Sequence, residues 1–194
     1  TTKMTKQLLN PLLQPLKIRN LTLKNRILST AHSPNYVHDG LPKEKYQLYH
    51  LEKAKGGIGM TMFGGSSNVS VDSPSVFGQI NISNDNIIPY LEQFSERIHE
   101  YQCALMCQIT HMGRRQTYNS GDWTTPLAPS ALQEPSHRCF PKSLDEYEIE
   151  RIIDDFSKAA LRCQIGGLDG IEIMGSDHLL FQFYSPLTNR RTDK

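Results

Sequence analysis

Residues 161–174, LRCQIGGLDGIEIM, join the end of an amphipathic helix to a short apolar strand. Gly166-Gly167 ends the helix, and residues 170–174 read as the strand. Upstream, apolar side chains recur at the spacing that places one helical face against a core. The helix-then-strand order indicates a βα repeat, and such repeats build a parallel sheet. The predicted apolar face consists of Ile149, Ile152, Ile153, Phe156, Ala159, Ala160 and Cys163.

The same alternation recurs three times before this stretch. Strands are predicted at residues 26–31, 58–63 and 104–109, and helices at 43–55 and 86–101. The final helix is predicted to open with a capping box formed by Ser143 and Glu146, whose side chains would satisfy each other's backbone amides. A short strand-like piece is predicted near Val76. Together, the chain contains four predicted βα units.

The placement of long and short loops indicates a barrel. Long loops follow the predicted strands, whereas the helix-to-strand turns at 55–57 and 166–167 are short, as in a (β/α)8 TIM barrel. No G-x-G-x-x-G motif opens the helix after the first strand, which disfavours a dinucleotide-binding open sheet. We therefore predict an α/β fold in which residues 1–194 form the N-terminal half of one (β/α)8 barrel domain. The alternative, an open α/β sheet, would show a strand order other than 1-2-3-4.

The composition of the chain limits the classes of partner and the cell compartments that we expect for it. With 21 Lys and Arg against 20 Asp and Glu, the formal net charge is +1, so no long-range field favours nucleic acid. No apolar run approaches the roughly 20 residues that span a bilayer, and no signal peptide is visible. The four cysteines lack C-x-x-C spacing, which favours reduced thiols and a cytoplasmic location. No cluster of ligand residues indicates a metal.

Several segments, in order along the chain, carry a family resemblance. They are Leu23-Lys24-Asn25-Arg26, Asp39-Gly40-Leu41-Pro42 with Tyr49, Ala54-Lys55-Gly56-Gly57-Ile58-Gly59, Gln108-Ile109-Thr110-His111-Met112-Gly113-Arg114-Arg115, Pro126-Leu127-Ala128-Pro129-Ser130-Ala131, Asp169-Gly170-Ile171-Glu172-Ile173, and Gln182-Phe183-Tyr184-Ser185-Pro186 with Asn189, Arg191 and Asp193. These segments resemble the opening strand, flavin motif and fourth-strand loop of the Old Yellow Enzyme superfamily of FMN-dependent oxidoreductases. Within that superfamily, the H-L-x-x-Q-F-x-S-P spacing from His178 to Pro186 resembles the branch acting on N-methylated amines.

The resemblance implies hydride transfer through N5 of FMN, with a small-molecule substrate and NAD(P)H as a possible electron donor. Relatives with covalent flavin carry a cysteine where this chain has Ser33, so we expect non-covalent FMN. Ene-reductases carry a histidine where this chain has Met174, which weighs against reduction of enones. Two readings stay open beside amine oxidation: an ene-reductase, and a truncated, non-catalytic half-barrel. Unpaired edges at the first and fourth strands would require a homo-oligomer or a C-terminal half.

The flavin candidates follow the first three strands. An amide side chain offers both donor and acceptor to the ring's pyrimidine edge, which favours Gln108. Gly65 would let the backbone approach the flavin, although an ordinary turn glycine is an equal alternative. The resemblance places Ala31, His32 and Ser33 along the O4/N5 edge. The phosphate site of such barrels forms after strands seven and eight, beyond Lys194.

The substrate candidates follow the fourth strand. His178 is the predicted catalytic residue, because a histidine there can bind substrate or exchange a proton. Asp177 would bind a cationic amine, and Met174 would contact substrate from the end of the strand. A surface histidine and a loop-capping aspartate are the alternatives. Arg114 and Arg115 either reach the flavin or form a solvated pair.

Overall fold

Four parallel strands form the central sheet, and the chain visits them in sequential order. They are β3 (Leu28–Ser29), β4 (Met60–Asn68), β5 (Ala104–Thr110) and β8 (Gly170–Ile173), hydrogen-bonded in the order β3-β4-β5-β8. The computed structural model describes residues 10–73, 78–116 and 124–193. This order confirms the predicted barrel units, and it contradicts the open-sheet alternative.

A helix follows each strand of the sheet. These helices are α1 (Glu44–Lys55), α2 (Ile88–His99, preceded by a 3-10 turn at Asp85–Ile87), α3 (Glu146–Ile165) and the short α4 (Leu179–Tyr184). A 3-10 turn at Pro11–Leu13 and a hairpin of β1 (Leu16–Ile18) and β2 (Leu21–Leu23) precede the sheet. Two short strands, β6 (Leu127–Ala128) and β7 (Lys142–Ser143), pair in the loop between β5 and α3.

The core lies between the sheet and the helices. Fully buried side chains from α1, β4 and α2 meet there, including Tyr46, Phe63 and Phe94. All four cysteines are buried, and none is joined to another in a disulfide. Within the described ranges, no helix combines the length and apolar character needed to cross a membrane.

The strand bounds differ from the prediction mainly in the first two units. The first strand was predicted over residues 26–31 but pairs only over Leu28–Ser29. The second begins at Met60 and continues to Asn68, because β4 changes register between Phe63 and Ser67 and then pairs with β5 again. An apolar pattern does not reveal this extension, since its added residues are glycine, serine and asparagine. The strand-like piece predicted near Val76 lies outside the described residues.

The capping box of α3 lies two residues beyond its predicted position. Asp145 is the N-cap and accepts from the Glu148 N–H at 2.8 Å, while the Glu148 carboxylate accepts from the Asp145 N–H at 3.0 Å. Ser143 belongs to β7 instead, and its hydroxyl donates to the Pro129 carbonyl. The prediction of Ser143 and Glu146 was therefore wrong, because both pairs have the same spacing and strand pairing claims Ser143. Ile153 was also misplaced on the apolar face, since 55% of it is exposed.

Candidate functional site

A cavity of about 530 Å³ opens at the carboxyl edge of the sheet, where loops follow the strands. This volume lies in the range of roughly 300–1,000 Å³ common for ligand pockets. Three residues predicted from the sequence, Ser33, Gly65 and His178, meet in its wall. The full lining consists of Ser33, Asn35, Gly65, Ser66, Gln79, Met112, Arg115, His137 and His178.

The floor of this cavity is shaped by a bulge in β4. Gly64, Gly65 and Ser66 have φ angles of 109°, 48° and 84°, all in the left-handed region, and they interrupt the pairing with β5. Such bulges bend a strand and redirect its backbone groups. Here the redirected Ser66 N–H donates to the Gln108 side chain at 2.9 Å. The bulge therefore connects two neighbouring strands at the cavity.

The structure shows that position 65 requires a glycine for a reason other than the predicted one. A Cβ on this residue would lie 2.3 Å from the carbonyl carbon of His32 and 2.4 Å from the nitrogen of Ser33. The missing side chain thus makes room for the loop after β3, whereas the sequence predicted that it makes room for the flavin. Contact between Gly65 and a flavin stays a prediction.

Gln108 uses both ends of its amide within the protein. Its Oε1 accepts from the Ser66 N–H, and its Nε2 donates to Glu172 Oε1 at 2.6 Å. The residue lies at the edge of the site, outside the cavity lining. A contact with the flavin therefore requires that Gln108 share or exchange these partners. The sequence did not predict this contact, because Glu172 on β8 forms part of an ordinary strand pattern that indicates no partner.

His178 is buried, with only 5% of its surface exposed, so the surface-histidine alternative is wrong. Its Nδ1 lies 2.8 Å from the hydroxyl of Thr110 at the end of β5. In the described residues no protein group hydrogen-bonds to Nε2. Burial, reinforced by the charge of Arg115, lowers the pKa of His178 to about 4, although Asp177 opposes the shift. The imidazole is therefore neutral at pH 7.

Arg115 and Asp177 form an ion pair beside His178. Arg115 Nη1 lies 3.2 Å from Asp177 Oδ2, and the side chains are 33% and 66% exposed. Arg114 points elsewhere and donates to the carbonyls of Leu132 and Gln133 at 3.2 Å each. The two arginines, treated as one unit from the sequence, thus have separate roles. No sequence pattern pairs Arg115 with Asp177, because folding of separate loops brings them together.

The remaining predicted residues lie outside the cavity lining. Met174 Sδ accepts a hydrogen bond from the Ser66 hydroxyl at 3.4 Å. The His32 ring turns towards α1, where its Nε2 lies 2.7 Å from the Tyr49 hydroxyl. The backbone of His32 packs on Gly65, whereas Ala31 is absent from the lining. Contacts of Ala31, His32 and Met174 with ligands stay predictions.

A buried charged network supports the loop after β5. His111 is fully buried, its Nδ1 accepts from the Gly113 N–H, and its Nε2 lies 3.2 Å from Asp72 Oδ1. Asp72 also pairs with Arg151 of α3. Burial opposes ionisation of Asp72, but hydrogen bonds from His111 and Ser70 hold its pKa well below its ordinary range. His111 therefore braces this loop. Within residues 10–73, 78–116 and 124–193, no three His, Cys, Asp or Glu side chains are grouped to hold a metal.

Comparison with known proteins places the chain in a family. Residues 11–194 match the model of the NADH:flavin oxidoreductase / NADH oxidase family. Two curated relatives are a multifunctional alkene reductase/demethylase OYE of Caballeronia cordobensis, 52% identical over 95% of this chain, and a probable N-methylproline demethylase of Rhizobium meliloti (strain 1021), 48% identical over 93%. The chain belongs to the NADH:flavin oxidoreductase / NADH oxidase family.

A solved relative confirms the architecture. Morphinone reductase in complex with tetrahydroNAD superposes with a TM-score of 0.87 at 26% identity, covering 95% of this chain and 55% of that one. The chain spans 27% and 26% of the lengths of the Caballeronia and Rhizobium relatives. The four βα units are thus the half-barrel that was predicted, matching about half of a related barrel enzyme.

Proposed function

We propose that this chain contributes one side of the active site of an FMN-dependent oxidoreductase that oxidises N-methylated amines. The observation that carries the proposal is the buried, neutral His178, whose Nε2 has no protein partner in the described residues and which lines the cavity at the sheet's carboxyl edge. The names of the Caballeronia and Rhizobium relatives, both demethylases, support the amine as substrate.

The residues at this edge fit an isoalloxazine ring. Gly65 and Ser66 of the β4 bulge line the cavity, and the exposed Ser33 contributes a hydroxyl group to its wall. Gln108, next to the cavity, would offer its amide to the pyrimidine edge by sharing or exchanging its contacts with Ser66 and Glu172. When bound, FMN supplies a two-electron acceptor for a hydride from the N-methyl group. We expect the phosphate to bind outside these residues, because such barrels bind it after strands seven and eight.

In this proposal His178 binds the amine nitrogen. A hydride leaves readily only from a neutral amine, since a protonated nitrogen has no lone pair to stabilise the resulting iminium. The ammonium form therefore releases its proton to solvent before the hydride leaves. The burial and the Arg115 charge that keep His178 neutral also disfavour an ammonium ion beside it. Nδ1 is held by Thr110, so that Nε2 is left to face the substrate. His178 therefore orients the neutral amine and does not need to carry a charge.

Substitution of His178 tests this role in the FMN-loaded protein. His178→Gln keeps a neutral hydrogen-bonding group, whereas His178→Leu removes it. We expect the Leu variant to lower kcat/KM for N-methyl amines by about 10- to 100-fold and the Gln variant to lower it less. The wild-type profile should show no step near pH 6.5, because His178 does not titrate there. Equal activity in all three proteins would contradict the role.

Reduction of activated alkenes is the second candidate, since the name of the Caballeronia relative includes alkene reductase. Met174, directly after β8, provides no hydrogen-bond donor for an enone carbonyl. Oxidation of NADPH by an enone, faster than reduction of the enzyme by any N-methyl amine, would favour this candidate.

We also propose that a further segment or a second copy covers the open sheet edges. In the described residues, β3 and β8 each pair on one side only. Unpaired edges promote association, and residues 1–194 would then form half of one barrel domain. A cytoplasmic location stays a prediction.

A further inference from the structure

The charge of the cavity wall bears on which amines would bind. Arg115 is the only lining side chain with a permanent charge among the described residues of the wall. Burial keeps His178, which also lines this wall, uncharged near neutral pH. A cationic wall beside the amine-binding histidine does not suit a simple alkylammonium ion. It suits a substrate that carries its own negative group.

The guanidinium of Arg115 retains donors for such a group. Its one ionic contact in the described chain is Nη1 to Asp177 at 3.2 Å, and no side-chain hydrogen bond to the protein accompanies it. An arginine presents five N–H donors in a planar fork that matches a carboxylate. Arg114, by comparison, uses its Nη1 on two backbone carbonyls. Arg115 is therefore available to a ligand, and Arg114 is engaged with the loop.

Asp177 is the counterion of Arg115 in this structure. Its carboxylate is two-thirds exposed and sits on a residue with φ +60°, directly before His178. An exposed pair of this kind adds little to stability, so a ligand carboxylate can compete with it at small cost. The remaining nearby carboxylate, Glu134, is held by the N–H and Nδ1 of His137. Asp177 is thus the anion that a ligand would meet at Arg115.

We infer that Arg115 determines specificity by binding the carboxylate of an N-methylated amino acid while His178 holds its amine nitrogen. The inference rests on the proposed amine oxidation, and it narrows the substrate class to amines that carry a carboxylate. Asp177 competes with that carboxylate for Arg115. Its removal should consequently tighten binding of the substrate, whereas removal of Arg115 should weaken it.

The test compares ligands that differ only in the carboxylate, using FMN-loaded full-length protein. N-methylproline and N-methylpyrrolidine serve as substrates, and proline and pyrrolidine as unreactive probes whose Kd follows from perturbation of the flavin spectrum. Arg115→Met, Arg115→Lys and Asp177→Asn are compared with the wild type. Arg190→Met is the control, because this exposed arginine lies outside the cavity lining.

Arg115→Met should raise Kd for proline and KM for N-methylproline by about 10- to 100-fold, the loss expected for hydrogen bonds to a charged group. Kd for pyrrolidine and KM for N-methylpyrrolidine, which lack the carboxylate, should change by less than about twofold. Arg115→Lys should recover part of the affinity, Asp177→Asn should lower Kd for proline, and Arg190→Met should match the wild type. Thermal unfolding of each variant identifies any that fail to fold.

If Arg115→Met changes binding of the ligands with and without a carboxylate equally, or changes neither, the inference is overturned. Arg115 would then have only a structural role. A loss confined to NADPH binding would also overturn it, since the anion recognised would then be a phosphate. If proline binds in an Arg115-dependent manner but no amine reduces the flavin, carboxylate recognition stands and the proposed amine oxidation fails. Failure of proline to bind the wild type contradicts the inference whether or not simple amines are oxidised.

Discussion

His178 Nδ1 and Thr110 Oγ1 lie 2.8 Å apart, and this contact ties the first residue before α4 to the last residue of β5. One ring nitrogen is thereby fixed within the protein. The other nitrogen, Nε2, has no hydrogen-bond partner among the described residues, and His178 lines the cavity. The orientation of the His178 ring thus depends on a single hydroxyl from a neighbouring strand.

Substitution of Thr110 by valine should lower activity without removing the flavin. The variant keeps the shape of the side chain but leaves His178 Nδ1 without its partner. We expect kcat for an N-methyl amine to fall by roughly 10-fold or more, because small errors in placement slow the chemical step. Thr110→Ser keeps the hydroxyl and should stay near the wild-type rate. A kcat within twofold of wild type for the valine variant would show that Thr110 does not position His178 for catalysis.

The depressed histidine pKa values predict a loss of stability in acid. Burial lowers the pKa of His178 to about 4 and that of His50 to about 3, both below the ordinary value of 6.5. The unfolded chain therefore binds protons more readily, so this stability is complete above pH 6.5 and declines as pH falls towards 4. Each histidine should account for roughly 2 kcal/mol between pH 7 and pH 4.5.

Unfolding measured at both pH values checks this expectation. His178→Gln removes one titrating group, so the free energy of unfolding should fall less in this variant than in the wild type. His99, which pairs with Asp169 on a partly exposed surface, provides the control position as His99→Gln. An identical acid loss in the wild type and in His178→Gln would show that His178 is not held neutral.

Gln108 is expected to control FMN retention. Gln108→Leu removes the amide and also leaves the Ser66 N–H without its acceptor. We expect Kd for FMN to rise by about tenfold or more, in line with the loss of a buried hydrogen-bonding group. Glu172→Gln, which alters the other partner of Gln108 but keeps a hydrogen-bonding side chain, serves as the control. Unchanged flavin content in Gln108→Leu would refute the assignment.

Gly65 is expected to be essential for steric reasons. In Gly65→Ala the new Cβ would collide with the backbone of His32 and Ser33, so the loop after β3 must move. Gly57→Ala is the matched control, since Gly57 also has positive φ, +93°, but has open space around its Cβ position. The control should lose about 1 kcal/mol from backbone strain, and Gly65→Ala clearly more, together with FMN affinity. Equal unfolding temperatures and equal FMN contents for the two variants would contradict this reason.

The sequence predicted the fold well because each βα unit carries local signals. Two of the units, for example, show a glycine pair followed by an apolar strand, at Gly56-Gly57 and Gly166-Gly167. The bulge at Gly64, Gly65 and Ser66 was not predicted, because its left-handed backbone depends on packing against the loop after β3. The Asp145 capping box was shifted for a similar reason, since only the pairing of β7 excludes Ser143.

The candidate site was predicted in outline but not in its contacts. Ser33 follows β3, Gly65 lies in the bulge of β4 and His178 follows β8, and parallel pairing brings such positions to one edge. Long-range partners were missed, above all the Arg115 to Asp177 ion pair and the Glu172 contact to Gln108. These contacts depend on how loops fold back, which no local spacing encodes.

Anaerobic mixing of the FMN-loaded protein with N-methylproline tests the central claim most directly. The account predicts that the visible absorption of the flavin bleaches and that formaldehyde appears in proportion to the flavin reduced. A flavin that no N-methyl amine reduces, but that NADPH reduces and an enone reoxidises, would contradict amine oxidation and establish an alkene reductase instead.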